Sequence, residues 1–247
     1  MNISNIQPVP NESALFIAEK KILLIADLHI GIEKELREKG LNVASQTNLM
    51  IDKLKKICKK YKPKEIIILG DIKHNIPTST IQERNDVRNF LKEISFISKI
   101  KIIPGNHDGN IHRLCEKEIN ILKSDGYVYE NIGLFHGHRW PNEKIMNCEH
   151  IIFAHTHPVV KLTDRLGFNN FEPCWLKGTL DKNKSAKRYP NNKNPLFLIV
   201  PAFNPLCGGV AVNSQVINGP LGKIIDIKNS DIFLIDGSFL GKVKSLK

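Results

Sequence analysis

Residues 21–31 read KILLIADLHIG: an apolar run from Ile22 to Ala26 that stops on an acid, Asp27, with a histidine, His29, two places on. A run that is β-branched, apolar throughout and too short for a helix reads as a strand buried on both faces, as in a parallel sheet. The same grammar returns at 65–69 before Gly70-Asp71, and at 100–103 before Gly105-Asn106-His107-Asp108. It returns again at 133–135 before His136-Gly137-His138, and at 151–154 before His155-Thr156-His157. Between the runs lie segments of helical period. In 45–61, Leu49, Ile51, Leu54 and Ile57 are spaced for one face, and in 78–97 Thr80 and Glu83 form a capping box. A third, shorter helix is expected after Asn110. Strands alternating with helices predict an α/β domain with helical layers outside, and functional groups on the loops beyond the carboxyl ends of the strands.

Further along, the pattern weakens. Residues 161–195 carry eight cations, Lys161, Arg165, Lys177, Lys182, Lys184, Lys187, Arg188 and Lys193, against Asp164, Glu172 and Asp181. This reads as an exposed, basic, loop-rich insertion. Apolar runs then return at 196–202 and 232–235, with Gly208-Gly209 between them, and read as strands that complete a sheet. At 247 residues and 28.0 kDa, the chain is expected to be a single domain over 1–247.

Composition narrows the classes. With 41% hydrophobic and 25% charged residues the chain is ordinary globular protein, and no apolar run approaches the roughly 20 residues of a membrane span. The first twenty residues lack a cationic segment followed by a long apolar one, so no secretory signal is read and a cytoplasmic location is expected. Five scattered cysteines, Cys58, Cys115, Cys148, Cys174 and Cys207, form neither a disulfide framework nor a zinc ribbon and read as reduced and structural. A net charge of +11 favours a polyanionic partner such as DNA or RNA, although lysine supplies most of it and genome composition can produce the same bias.

The clusters carry the chemistry. Along an alternating strand Asp27 and His29 point the same way, as do His155 and His157, so each pair can chelate one metal ion. The imidazoles, carboxylates and single carboxamide, with no thiolate among them, suit Mn²⁺, Fe²⁺ or Zn²⁺ better than Ca²⁺ or Mg²⁺.

In this order, D-x-H, GD, GNHD, HGH and H-x-H, running from Asp27 to His157, the clusters resemble the metallophosphoesterase, or calcineurin-like phosphoesterase, superfamily. Finer features, AlaAspLeuHisIleGly at 26–31, GluProCysTrpLeuLysGly at 172–178 and ProAlaPheAsnPro at 201–205, resemble a prokaryotic branch that includes the ligase-associated DNA-damage-response endonucleases. The resemblance implies a four-layer α/β/β/α sandwich of two mixed sheets flanked by helices. It also implies two divalent metal ions, manganese foremost, with iron, zinc or nickel as alternatives. Asp27, His29 and His157 would hold one ion, Asn106, His136 and His155 the other, and Asp71 would bridge them. A shared carboxylate is what two cations roughly 3.5 to 4 Å apart require. A hydroxide from the water between the cations would attack the phosphorus in line, and His107 would protonate the leaving oxygen with Asp108 orienting its ring. His138, Arg139 and His74 are candidate substrate contacts; His74 falls where the family's GD-x-x-(D/N/H) pattern ends in one of its less common forms.

The expected function is therefore hydrolysis of phosphodiesters, nucleic acid in particular. The alternatives are a small-nucleotide phosphodiesterase or a phosphomonoesterase, and a non-catalytic scaffold of the same fold, which the retention of all seven candidate ligands disfavours.

Overall fold

The computed structural model describes residues 6–246; residues 1–5, where the segment read for a secretory signal begins, lie outside them. The first sheet takes its strands in chain order: β1 (Ile6–Pro8), β2 (Leu15–Ile17), β3 (Ile22–Ile25), β4 (Glu65–Ile68), β5 (Lys99–Ile102) and β6 (Asn120–Ile121). β1 to β3 pair antiparallel and β3 to β6 parallel. The parallel crossovers carry α1 (Ile32–Glu38), α2 (Thr47–Tyr61) and α3 (Ile81–Ser95).

The second sheet comprises β7 (Tyr127–Tyr129), β8 (Ile132–Leu134), β9 (His150–Phe153), β10 (Pro158–Thr163), β11 (Asn169–Thr179), β12 (Leu196–Ile199), β13 (Val210–Ala211), β14 (Asp231–Leu234) and β15 (Phe239–Lys242). Its spatial order is β13-β10-β11-β12-β9-β8-β7, with β14 on β11 and β15 beyond it, and it too mixes parallel and antiparallel pairs. Two short helices, α4 (Glu143–Met146) and α5 (Lys182–Arg188), accompany it.

Alternation along the strands sorts side chains into layers. On β4, Ile66 and Ile68 pack with Leu54 and Ile57 of α2 and Val87 and Phe90 of α3. Ile67 and Leu69 turn the other way, to a central layer shared with Leu134, Ile152, Trp175 and Leu198 of the second sheet. Ala26 and Ala154, both fully buried, belong to the same central layer. On the far side, Ile151 and Phe153 of β9 meet Ile145 and Met146 of α4. The result is the four-layer α/β/β/α sandwich.

Thr80 caps α3 as its sequence predicts: its hydroxyl accepts the Glu83 N–H (3.1 Å) and the Glu83 carboxylate accepts the Thr80 N–H (3.2 Å). Three expectations need correction. The buried face of α2 is Met50, Ile51, Leu54, Ile57 and Cys58, whereas Leu49 is 60% exposed, because it stands roughly 140° round the helix from Leu54. The helix after Asn110 is a single 3-10 turn, Ile111–Arg113. The segment 161–195 is not loop-rich. It holds half of β10 and all of β11 and α5, and its charges and asparagines mask strand residues whose buried part within the segment is only Cys174-Trp175-Leu176. Arg188, expected in a solvated stretch, lies over the rings of Trp140 (5.1 Å) and Tyr189 (5.9 Å). None of the five cysteines is in a disulfide, and no helix of the described residues is long and apolar enough to cross a membrane.

Candidate metal centre

The carboxyl ends of β3, β4 and β5 deliver Asp27 and His29, Asp71, and Asn106 and His107; those of β8 and β9 in the other sheet deliver His136, and His155 and His157. The five clusters thus come from both sheets to one edge of the sandwich. The strands end before the functional residues begin. Asp27, His29, Asp71, His155 and His157 all take left-handed backbone, with φ between +39° and +68°. The members of each pair therefore do not converge by strand alternation, as expected, but through a turn past the strand end. Non-glycine residues in this region cost free energy that the surrounding structure must offset. Here the offset includes hydrogen bonds between the loops: Asp27 N–H to the Gly70 carbonyl (3.1 Å), His29 N–H to the Asp71 carbonyl (2.9 Å) and His155 N–H to the Asp27 side-chain Oδ2 (3.2 Å). The 201–205 segment closes the same corner, Phe203 N–H donating to the Ala26 carbonyl (2.9 Å) and Asn204 Nδ2 to that of Leu28 (2.8 Å).

Asp71 lies at the middle. Its Oδ2 is 3.2 Å from His136 Nε2 and 3.6 Å from His29 Nε2, and Asp27 Oδ1 is 3.4 Å from His157 Nε2. Two triads, Asp27/His29/Asp71 and Asp71/His136/His155, each bring their donor atoms within 4.8 Å of one another, and Asp71 belongs to both.

The tautomers follow from the partners outside the cluster. A carbonyl or carboxylate only accepts, so the ring nitrogen facing it carries the proton. His136 Nδ1 donates to the Leu69 carbonyl (2.7 Å) and His157 Nδ1 to that of Gly208 (2.9 Å). His74 Nε2 donates to Glu35 (2.7 Å), which leaves its Nδ1 to accept from His29 Nδ1 (3.2 Å). In the neutral rings of His29, His136 and His157, Nε2 is then bare and faces the cluster. Lone pairs of His136 and His157 confront carboxylate oxygens, and His29 Nε2 confronts His157 Nε2 at 3.3 Å. This arrangement repels itself unless something positive sits inside it.

Two observations fit a cation there. Asp27 Oδ1 and His136 Nε2 are buried without a hydrogen-bond partner, a costly state for groups of this polarity. The electrostatics carry the same imprint. Burial alone would push His136 down, but Asp71 and Asp27 beside it raise its pKa to about 9, and Asp27 likewise raises His157. His29 and His155 are dominated by burial and fall to about 3 and about 4. Burial would lift the two carboxyls, yet the imidazoles facing them hold both below the usual carboxylate range. The donor set, with no thiolate among these seven residues, suits a borderline divalent ion. Gly70 supplies the clearance: at φ +83° it lets the chain turn, and a Cβ there would stand 2.5 Å from His136 Nδ1.

The remaining candidates fall at different distances from this centre. Asn106 is exposed at its mouth. His107 is half-buried; its N–H donates to Asp71 Oδ1 (2.9 Å) and its Nδ1 to the His74 carbonyl. Asp108 therefore does not orient the His107 ring. It is buried, and its carboxylate accepts the backbone N–H of Ile72 (2.8 Å), Lys73 (3.4 Å) and Gly105 (2.9 Å), which ties the loop after β4 to the loop after β5. Burial and the neighbouring Asp71 carboxylate push its pKa up. His74 lies behind His29, against Glu35. His138 is within 5.3 Å of the His136 ring, centroid to centroid, and burial and His136 lower it to about 4. Arg139 is exposed and donates to Ser124 Oγ (2.7 Å). One residue escaped sequence reasoning: Cys207 Sγ lies within 4.8 Å of donor atoms of both His29 and His157. Burial and the nearby Asp27 hold its thiol strongly up, so it stays protonated, and it donates to the Asp27 carbonyl (3.7 Å). No motif in the sequence marked it.

The calcineurin-like phosphoesterase family model matches residues 20–206, about three quarters of the chain. The chain belongs to this family. Both the fold and the cluster order agree with that membership, and the protein is a phosphoester hydrolase by family. Beyond residue 206 this calcineurin-like phosphoesterase adds β13 to β15, which complete the second sheet. Among solved structures it is similar to the nuclease MPE of Pseudomonas putida, at 21% identity and a TM-score of 0.61 over 96% of this chain and 100% of that one. YfcE, a phosphoesterase from E. coli, matches at 14% identity and a TM-score of 0.39 over 90% and 97%.

Proposed function

We propose that the protein is a binuclear metal-dependent phosphodiesterase and that nucleic acid is its substrate. The observation that carries the reading is Asp71, shared between two donor triads. Asp27, His29 and His157 hold one ion, Asn106, His136 and His155 the other, and Asp71 both, with manganese as the first candidate. When bound, the two cations supply an acidic water as nucleophile and neutralise charge on the phosphate oxygens.

The chain's own residues do the rest. The outer Nδ1 bonds of His29, His136 and His157 fix each ring with Nε2 inward, so the donors are set before any ion arrives. Asn106 brings a neutral oxygen, which leaves net positive charge for the phosphate. His107 is pinned at both ends, by Asp71 through its backbone and by the His74 carbonyl through Nδ1, which leaves Nε2 to hold a proton for the leaving oxygen. Asp108 keeps the two loops in register. The net charge of +11 and the likeness to a protein described as a nuclease favour a polyanionic diester over a small phosphomonoester.

The test is metal-stripped protein with Mn²⁺, Mg²⁺ or Zn²⁺ restored in turn, offered a chromogenic phosphodiester, a phosphomonoester, and single- and double-stranded DNA and RNA. Cleavage of diesters that depends on added metal is expected. Activity in stripped protein, or hydrolysis of monoesters alone, would overturn the reading.

A further inference from the structure

Beside the metal centre, between the loop after β4 and the loop after β5, lies a cavity of about 140 Å³. A water needs about 10 to 15 Å³ on this measure, so an oxyanion fits. Its polar lining is Lys73, Thr78, Ser79, Arg84, Asn110 and Arg113, and no carboxylate lines it. Lys73 is the anomaly. The residue is only 3% exposed, it lines this cavity, and among the described residues its Nζ meets neither a carboxylate nor a hydrogen-bond acceptor. A packed lysine stem holds its ammonium at a fixed place, where an anion entering the space would pair with it at little cost in side-chain entropy. Arg84 and Arg113 also form no ion pair among the described residues, so the cavity presents three cations and two hydroxyls. That is a recognition set for one phosphate group.

Its location gives it meaning. Lys73 follows Asp71 by two residues and Asn110 follows His107 by three, and two residues of extended chain span at most about 7 Å. Asp108 fastens both loops together at their roots, through the N–H groups of Lys73 and Gly105, so cavity and metal centre keep a fixed spacing. One nucleotide of an extended strand can bridge such a gap.

We propose that this cavity is a second phosphate subsite, which takes the phosphate neighbouring the scissile one in a single-stranded polynucleotide. The inference rests on the phosphodiesterase reading and deepens it: the metal centre engages one phosphate, and the Lys73 cavity makes the enzyme prefer a polymer.

The probes are a fluorescein-labelled oligothymidylate, a chromogenic diester and inorganic phosphate, with Arg113→Ala, the charge-preserving Arg113→Lys and the stem-preserving Lys73→Met. Arg113 is exposed, so its replacement tests the subsite even where Lys73→Met fails to fold. In metal-stripped protein, Arg113→Ala should weaken oligonucleotide binding about tenfold, as expected for one charge-assisted hydrogen bond. It should also flatten the log-log salt dependence by about 0.7, one phosphate contact on a single strand. Arg113→Lys should restore the slope. In the metal-loaded enzyme, the ratio of kcat/KM on the oligonucleotide to that on the chromogenic diester should fall by the same factor. An unchanged slope, or equal loss on both substrates, would overturn the subsite, as would inorganic phosphate binding as tightly as the oligonucleotide. The two readings fail separately. A protein that no metal makes active on diesters, but whose slope still responds to Arg113, retains the subsite and loses the proposed reaction.

Discussion

A Cβ on Gly105 would stand 2.1 Å from Asp71 Oδ1 and 2.6 Å from the Asp71 backbone nitrogen. The loop after β5 therefore touches the shared carboxylate through a bare backbone, and Asp71 has no room to retreat. The glycine is needed for space, since its φ is not among the positive values found at Gly70 and elsewhere. Gly105→Ala should push Asp71 out of place. Because a displacement near 1 Å costs on the order of 10²-fold in rate, activity should fall at least that far, and bound metal measured by elemental analysis should drop with it. Full metal content with wild-type turnover would show that the contact is not critical.

His107→Ala should lower turnover on diesters by roughly 10² or more, as for loss of a general acid, with metal content retained. Retention is expected because the side chain is tied to the His74 carbonyl and only the backbone N–H, which alanine keeps, reaches Asp71. Elemental analysis beside steady-state kinetics checks it. Metal loss in step with activity would make His107 a ligand.

Chelation should destabilise the fold. The stripped site buries Asp27 Oδ1 and His136 Nε2 without partners, and ions that bind only the folded state stabilise it by about 2.7 kcal/mol at a hundredfold excess over Kd. For a chain of this size that corresponds to roughly 5 to 10 °C in Tm. Calorimetry with and without a chelator, then with Mn²⁺ restored, reads the difference. An unchanged Tm would count against a built metal site.

Glu83 does more than cap α3. Its carboxylate accepts the N–H of His74 (2.9 Å) and of Asn75 (2.9 Å), and the Asn75 side chain (2.8 Å), from a nearly fully buried position. Thr80→Ala should cost about 1 kcal/mol, the usual value of an N-cap. Glu83→Ala should cost more, about 2 to 3 kcal/mol, because several donors lose a charged partner. It should also depress turnover, since the backbone it holds supplies the carbonyl that pins His107. Urea unfolding together with kinetics separates the two variants, and equal effects on stability would refute the distinction.

The central part of the molecule was legible because its strands are continuous apolar runs that end on chemistry. From Ile22 to Ala26 and again from Glu65 to Leu69, sequence alone located strand, loop and candidate site. The helix cap at Thr80 was legible for the same reason, since it depends on two residues three apart. What stayed hidden needs partners distant in the chain. β11 escaped because half of it is exposed and polar, with its buried stretch confined to Cys174-Trp175-Leu176. Asp108 carried the right residue type at the right place but a different job, for only the fold brings the Ile72 and Lys73 N–H groups to it. Cys207, fifty positions past His157, entered the site through the return of the chain, which no local pattern records.

The first sheet carries Asp27, His29, Asp71 and Asn106, and the second carries His136, His155 and His157, so no rigid element joins the two halves of the proposed ligand set. Apart from the bonds of His155 N–H to Asp27 and of His136 Nδ1 to the Leu69 carbonyl, their separation is set by the layer of side chains in between, as the opening of a pair of callipers is set by its hinge. Ala26 and Ala154 lie in that layer next to the site, both fully buried, and their small size keeps the jaws narrow. Enlarging either one would act as a spacer and widen the gap across Asp71 without altering any of the seven proposed ligands. If the proposed centre holds two cations, the choice among divalent ions would then be written partly in methyl groups of the core, where a search for coordinating residues would not look.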